Sequence, residues 1–389
     1  MGIGVVRSTP ADDPRPTPLA TLSKAARRAM TDAGINRADV GMLLTGRAPA
    51  ADPLPQINMR VLNELKIAPR YSTEVTVHGA GALGMLQYAA LALNAGVVDY
   101  AVCVSGNVSN LWMDVFASNS VDEADPEFEA PYAPTTVSLY AQVAQRYFHE
   151  RNVTPRDCAR IAVEARKWAL DHPWAAMRDK GPISVDDVMT SPLIASPLRR
   201  LDCAPYYPGA VTVAVVLTAG DRVRRHEQPI FLKGWGQLTT HEYLTERLGL
   251  QLDEIGVGRG FFPTGVESAA NQAYAMAGIG PHDIHVVETS APFTFLAALV
   301  LEELGLAAEG QVGGFIAAGG IDREGGIAFN TSGGNLSFGQ SGQGLYLLLE
   351  AVEQLRGQAR GRQVPNAHVA LVHAHGGVMA SNAVVILSR

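Results

Sequence analysis

The chain has 389 residues, 47% of them hydrophobic and only 18% charged, with a formal net charge of −7. That composition excludes a disordered chain, and with no long basic run it excludes a nucleic-acid-binding surface. Cys103, Cys158 and Cys203 lack disulfide or metal spacing, no charged head precedes an apolar core at the N-terminus, and no apolar run reaches the roughly 18 residues of a membrane span, so a reducing cytoplasm is expected.

Strand and helix signals alternate along the chain, which predicts α/β layers. A strand is expected over 3–7, an amphipathic helix over 18–34 ending at Gly34, a strand over 40–45 and a helix over 56–66. Next comes VTVHGAGALGMLQYAALALNAG, from Val75 to Gly96. It reads as a short β-branched strand, a glycine-punctuated turn carrying His78, and a helix apolar nearly all round, which belongs in a core. A buried strand follows at 100–105. Residues 107–135, rich in Asn, Ser, Asp, Glu and Pro, read as an irregular lid. Its acidic run, Asp122, Glu123, Asp125, Glu127 and Glu129, reads as a solvated loop. Residues 135–170 are mostly helical with a break at Asp171, 184–203 return to the core, and 211–218 form an apolar strand.

The second half restarts near Pro229 and repeats the alternation. It has a helix near 266–278, a strand at 284–288, a helix near 293–305, a glycine-rich unit at 330–344, a helix at 345–357 and two closing strands. In both halves a glycine-rich turn precedes a buried helix, which predicts an internal duplication. The expected halves are 1–225, with an insertion at about 112–197, and 226–389.

Four segments carry a family resemblance: VHGAGA from Val77 with GVVDYAV from Gly96; SPLRRLDCAP from Ser196; VETSAPFT from Val287; and NTSGGNLSFGQSGQG from Asn330, followed by QLRG from Gln354 and VHAHGG from Val372. In order and spacing they resemble the thiolase superfamily, specifically sterol-carrier-protein-type thiolases, over nearly the whole chain. The resemblance implies a duplicated, five-layered α-β-α-β-α thiolase fold with an inserted helical lid domain. It also implies a coenzyme A thioester as substrate with no tightly bound cofactor, a homodimer, and a small OB-fold/zinc-ribbon partner protein of the kind that related aldolases use.

Against that pattern the chain departs at every thiolytic position. The nucleophilic Cys of the strand–helix turn is replaced by His78, and the C-terminal acid/base Cys by His373. The activating His of Gly-His-Pro gives way to Gln340, and the oxyanion-site Asn to Ser290. The tyrosines of the related aldolases are also absent, Ser290 and Gln343 standing where they are expected. Thiolysis through a Cys thioester is therefore closed to this chain. What remains is base-assisted carbon–carbon chemistry at a thioester enolate, by retro-aldol cleavage or acyl transfer. His78 is the expected base, His373 or His375 its acid/base partner, and Gln340 and Ser290 polar orienters. His373 and His375 alternate along a strand and point to one face. Backbone N–H groups near His78 and at Gly376 and Gly377 form the expected oxyanion hole, and Gly333 and Gly334 let the backbone approach the thioester. No metal is expected. Against chemistry stand packing roles for each histidine, and a catalytically silent subunit that binds an acyl thioester or supports a partner.

Overall fold

The computed structural model describes residues 2–8, 17–46, 56–109, 124–206, 209–223, 228–249, 262, 264–340 and 344–389. The first half contributes β1 (Gly2–Ser8), β2 (Met42–Gly46), β3 (Tyr71–Val75), β4 (Tyr100–Ser109) and, beyond the small hairpin of β5 (Leu193–Ala195) and β6 (Leu198–Arg199), β7 (Gly209–Thr218). The second half contributes β8 (Phe231–Thr239), β9 (Val286–Thr289), β10 (Ala328–Phe329), β11 (Val369–Gly376) and β12 (Ser381–Ser388).

Two five-stranded sheets result, ordered β1-β7-β4-β2-β3 and β10-β9-β11-β12-β8. Reading the second in reverse superposes β8 on β1, β12 on β7, β11 on β4, β9 on β2 and β10 on β3. The pairing senses agree: antiparallel for the first two contacts of each sheet, parallel for the last two. The fold is the expected duplication.

The alternation of side chains produces the layers. Val6, Leu43, Val102, Val104, Ala214 and Val216 pack on the outer helices Pro18–Asp32 and Ile57–Leu65. Leu44, Cys103, Val213 and Val215, on the opposite face, share a core with the helices Gly81–Asn94 and Leu345–Arg356 and with Ala370, Val372, Ala374 and Val385 of the second sheet. Val287, Leu371, Val384 and Ile386 face the helices Val266–Ala277 and Thr294–Glu303. The order is α-β-α-β-α. The two central helices touch sheet on both sides, which is why the Gly81–Asn94 helix is apolar nearly all round.

Between β4 and β7 lie the helices Thr136–Glu150, Pro155–Asp171 and Val185–Thr190. The mostly helical stretch expected over 135–170 is two helices. Thr154 caps the second and Pro155 occupies its first turn, so the chain leaves helical geometry at Arg151 and restarts there. The acidic run is not uniformly solvated. Glu129 is buried and accepts from the backbone N–H groups of Asp125 and Thr245. Asp122 and Glu123, like residues 110–121 of the expected lid, and the expected boundary of the halves at 225/226 lie outside the described residues. Among the described residues no helix is long and apolar enough to cross a membrane.

The duplication extends to packing detail. A Cβ at Gly4 would run into the backbone of Ala25 and Ala29, and one at Gly236 into the carbonyl of Ala269. In each half a helix packed on the first strand, Pro18–Asp32 or Val266–Ala277, lies too close for any side chain there. Gly4→Ala and Gly236→Ala are each expected to destabilise the chain by about 1–3 kcal/mol and to add in the double variant, since the sites share no partners. Urea denaturation of the singles and the double checks this; equal midpoints for wild type and variants would refute the close approach.

Candidate functional site

β3 ends at Val75 and the central helix begins at Gly81. The intervening turn closes with Ala80 N–H donating to the Val77 carbonyl (3.1 Å) and Gly81 N–H to that of His78 (3.2 Å). His78 itself adopts φ 43°, the left-handed region that a side chain seldom occupies. Its imidazole is exposed, and among the described residues it makes no side-chain hydrogen bond. Two glycines explain how the turn is held. A Cβ at Gly79 would strike the His375 carbonyl, and one at Gly376 would strike Gly79 N and His78 Cβ. The turn after β3 and the turn after β11 interlock through bare backbone. A Cβ at Gly377 would sit 3.7 Å from His78 Cδ2. Ser381 Oγ adds a bond to the Val77 carbonyl at 3.2 Å.

His373 and His375 lie on one face of β11, their rings 6.3 Å apart and within 16° of parallel. His373 is wholly enclosed. Its Nε2 lies 3.2 Å from Asn382 Oδ1, and its Nδ1 lies 2.7 Å from Thr289 Oγ1. With the Asn382 amide assigned from its Nδ2 donation to the Thr264 carbonyl, Oδ1 only accepts, so the His373 proton sits on Nε2. His375 is 7% exposed. Its Nδ1 donates to the Ser290 carbonyl at 2.6 Å, and its Nε2 meets Tyr140 Oη at 2.9 Å. Burial pushes His375 down to about 4. Burial, and then the neighbouring His375, push His373 down to about 3. Both rings are neutral at neutral pH.

The other predicted residues divide. Ser290 is at this cluster, but through its backbone: its N–H donates to the His373 carbonyl (2.9 Å) and its carbonyl receives His375. Gln340 pairs by its N–H with the Pro205 carbonyl (2.8 Å) and exposes its side chain; Gln343 lies outside the described residues. Gly333 and Gly334 are buried with φ of 92° and 52°. A Cβ at Gly333 would stand 2.7 Å from Ala169 Cβ, and one at Gly334 2.7 Å from Asn330 Nδ2, so their turn packs against the Pro155–Asp171 helix and its own chain.

Two groups escaped the sequence reading. Tyr140, on an amphipathic helix, carries no motif that marks it. Glu288 underlies the glycine turn, accepting from Thr331 N (2.6 Å), Thr331 Oγ1 (2.9 Å) and Ser332 Oγ (3.1 Å). Burial, and then the charge of Glu350, push Glu288 up to about 8. Against the cost of burial, His172 and the Arg362 guanidinium hold Glu350 below the usual carboxylate range.

No cysteine stands in the two interlocked turns. Cys103 and Cys158 are fully buried and burial raises both thiols; Cys203 is half-buried and pushed up to about 12 by burial and Asp202. Among the described residues no cluster of three His, Cys, Asp or Glu side chains is arranged to hold a metal ion, and His285 pairs edge-to-face with His368.

The class is thus a duplicated five-layered α/β protein with its candidate functional side chains at the strand ends where two glycine turns meet. Residues 256–389 match the family described as Thiolase C-terminal domain-like. The chain is 30% identical over 374 residues to acetyl-CoA acetyltransferase of Methanothermobacter thermautotrophicus, covering 95% of this chain and 94% of that one. It is 30% identical over 386 residues to 17-hydroxy-3-oxo-4-pregnene-20-carboxyl-CoA lyase of Mycobacterium tuberculosis, covering 94% of each. The solved Ltp2-ChsH2(DUF35) aldolase is similar with a TM-score of 0.79 and 27% identity, over 100% of this chain and 96% of that one. The chain belongs to the thiolase superfamily.

The depressed histidines have a thermodynamic consequence. A free histidine titrates near 6.5, so as pH falls the unfolded chain binds protons before the folded one does. Stability from His373 and His375 is complete above pH 6.5 and is lost as pH falls towards 4 and 3, at up to about 1.4 kcal/mol per pH unit for each ring. Urea midpoints between pH 7 and pH 5 should fall less steeply in His373→Asn than in wild type. Parallel pH profiles would show that His373 is protonated alike in both states.

Proposed function

We propose that this chain is a lyase of the thiolase superfamily that cleaves a β-hydroxyacyl-coenzyme A thioester by a retro-aldol step without an acyl-enzyme, in lipid or sterol side-chain metabolism. One observation carries the reading. An exposed imidazole, His78, occupies the strand–helix turn beside the His375–Gly377 turn, and neither place holds a thiol. Similarity over nearly the full length to a coenzyme A lyase, and in fold to an aldolase, supports it. Similarity to an acetyltransferase supports the thioester but not the covalent route, because no cysteine is placed to form it.

In this reading His78 removes the β-hydroxyl proton. The Cα–Cβ bond breaks, its electron pair moves into the thioester enolate, and the hydroxyl carbon leaves as a carbonyl. The proton returns to Cα, so a shortened acyl-coenzyme A and a ketone or aldehyde account for every atom. Backbone N–H groups around His78 and at Gly376 and Gly377 stabilise the enolate oxygen. His375, 7% exposed and directly preceding the Gly376 backbone that packs on His78, is the acid/base partner rather than the wholly enclosed His373. Ser290 orients His375 through its carbonyl, Gln340 offers an exposed amide, and the turn of Gly333 and Gly334 supports the thioester side of the site. Coenzyme A enters as part of the substrate, with no tightly bound cofactor.

We extend the proposal to partners. Among the described residues β3 is a sheet edge that carries exposed Tyr71, and the helix that follows it exposes Tyr88 and Leu91. That edge fits a second copy of the chain, a cytoplasmic homodimer. The Ltp2-ChsH2(DUF35) aldolase joins two components, and a small OB-fold/zinc-ribbon partner is proposed here by the same likeness.

Purified chain, alone and with any small co-purifying protein, is to be incubated with β-hydroxyacyl- and 3-ketoacyl-coenzyme A esters under mass spectrometry. Cleavage of the hydroxy ester with no mass added to the protein is expected, and His78→Ala should lower kcat by about 10²-fold or more. An acyl adduct, or binding with no product under either condition, would refute the lyase. Separately, sedimentation velocity should report a dimer that Leu91→Glu converts to monomer; a monomeric wild type would refute the proposed interface.

A further inference from the structure

The helical segment between β4 and β7 sends one polar group into the cluster at the end of β11. Tyr140, 2% exposed on the Thr136–Glu150 helix, places Oη 2.9 Å from His375 Nε2 and 2.6 Å from the Gly377 carbonyl. Its ring is fixed independently, by Phe293 at 4.7 Å between centroids and by the edge of His375 at 6.0 Å.

We infer that Tyr140 is a positioning residue for the reaction, its phenol setting the tautomer and orientation of His375 and anchoring the Gly377 carbonyl beside His78. The argument is a count of protons. The chain of contacts runs from the Ser290 carbonyl through Nδ1 and Nε2 of His375 and Oη of Tyr140 to the Gly377 carbonyl. Both ends accept only, so the three gaps need three protons. A neutral imidazole and a phenol supply two. The Ser290 carbonyl claims the imidazole proton on Nδ1, which leaves Nε2 as an acceptor, and the single phenolic proton then faces two acceptors.

That shared proton couples the two groups. Whatever draws it towards Nε2 loosens the Gly377 carbonyl, and whatever draws it towards the carbonyl releases Nε2. A proton reaching His375 during turnover fills all three gaps: Nε2 then donates to Oη, and the phenol donates wholly to Gly377. No heavy atom has to move, which is the property of a preorganised acid/base site. Gly376 and Gly377 are the residues whose bare backbone packs on His78, so Tyr140 reaches the proposed base through the turn it anchors.

The kinetic part of this inference rests on the lyase reading; the hydrogen-bond part does not, and Tyr140→Phe tests both. The variant keeps the ring against Phe293 and removes only the hydroxyl. Expected are a fall in kcat of about tenfold or more with KM within about twofold of wild type, and a shift of the His375 Nε2 resonance in ¹⁵N NMR towards that of an unbonded imidazole nitrogen. An unchanged kcat in an active enzyme overturns the inference. If the wild type proves to cleave no thioester, the lyase reading has failed, and the resonance alone decides: a shift upholds the tie between Tyr140 and His375, no shift overturns it. Should Tyr140→Phe fold poorly by circular dichroism, fluorotyrosine at position 140 preserves the packing and strengthens the donor. It should shift the same resonance in the hydrogen-bonded direction, and no shift overturns the inference.

Discussion

The arrangement of this protein hangs on the close approach of two backbone turns. The turn after β3 and the turn after β11 meet where no Cβ fits, at Gly79 against the His375 carbonyl and at Gly376 against His78. Interiors packed at crystal density do not absorb an extra methyl without displacement. The two sheets are therefore held in a fixed relation at their strand ends. The central helices Gly81–Asn94 and Leu345–Arg356 fill the space between them as one shared core. The backbones at His78–Gly79 and His375–Gly376 come together because the glycines carry no Cβ to hold them apart. Attraction between the side chains plays no part: His78 makes no side-chain hydrogen bond among the described residues.

Burial then decides what those side chains are. A histidine enclosed in low dielectric loses its charged form. His373 and His375 are both driven neutral, and the direction of each remaining proton is dictated by carbonyl and amide acceptors. The same cost shapes the support beneath the separate turn of Gly333 and Gly334. Glu288 and Glu350 cannot both hold full charge in one dry space, so Glu350 takes Arg362 and His172 while Glu288 is pushed towards its protonated form and spends its oxygens on Thr331 and Ser332. Removing one partner from such a network leaves an uncompensated buried charge. The Gly333–Gly334 turn is thus held for electrostatic as well as steric reasons.

Much of this was legible in the residues. Period-two and helical patterns located most of the strands and helices, and the repetition of a glycine turn before a buried helix disclosed the duplication that the matched strand orders display. The alternation of His373 and His375 placed both on one face, where their rings indeed lie nearly parallel. Other features had no local signal. Which of two adjacent histidines is sealed and which is nearly so depends on Thr289, Asn382 and Tyr140, residues up to 235 positions apart in the chain. Ser290 and the pair Gly333–Gly334 stood out as residue types, yet position matters through the Ser290 carbonyl and through packing on Ala169, neither of which a sequence pattern encodes.

An imidazole rather than a thiol at the strand–helix turn is chemically coherent with the proposed lyase on such a scaffold. A covalent route needs a nucleophile whose anion is stabilised and then expelled. A retro-aldol route needs a base at the hydroxyl and a fixed donor set at the thioester oxygen, and the second of these belongs to the backbone. In the proposed reaction the glycine turns supply it, and that supply does not depend on which side chain stands at position 78. What changes is the demand on the neighbouring groups. Without a covalent intermediate to fix the substrate, orientation must come from rigid surroundings. A phenol held by Phe293, bonded at once to an imidazole and to a turn carbonyl, provides rigidity of that kind.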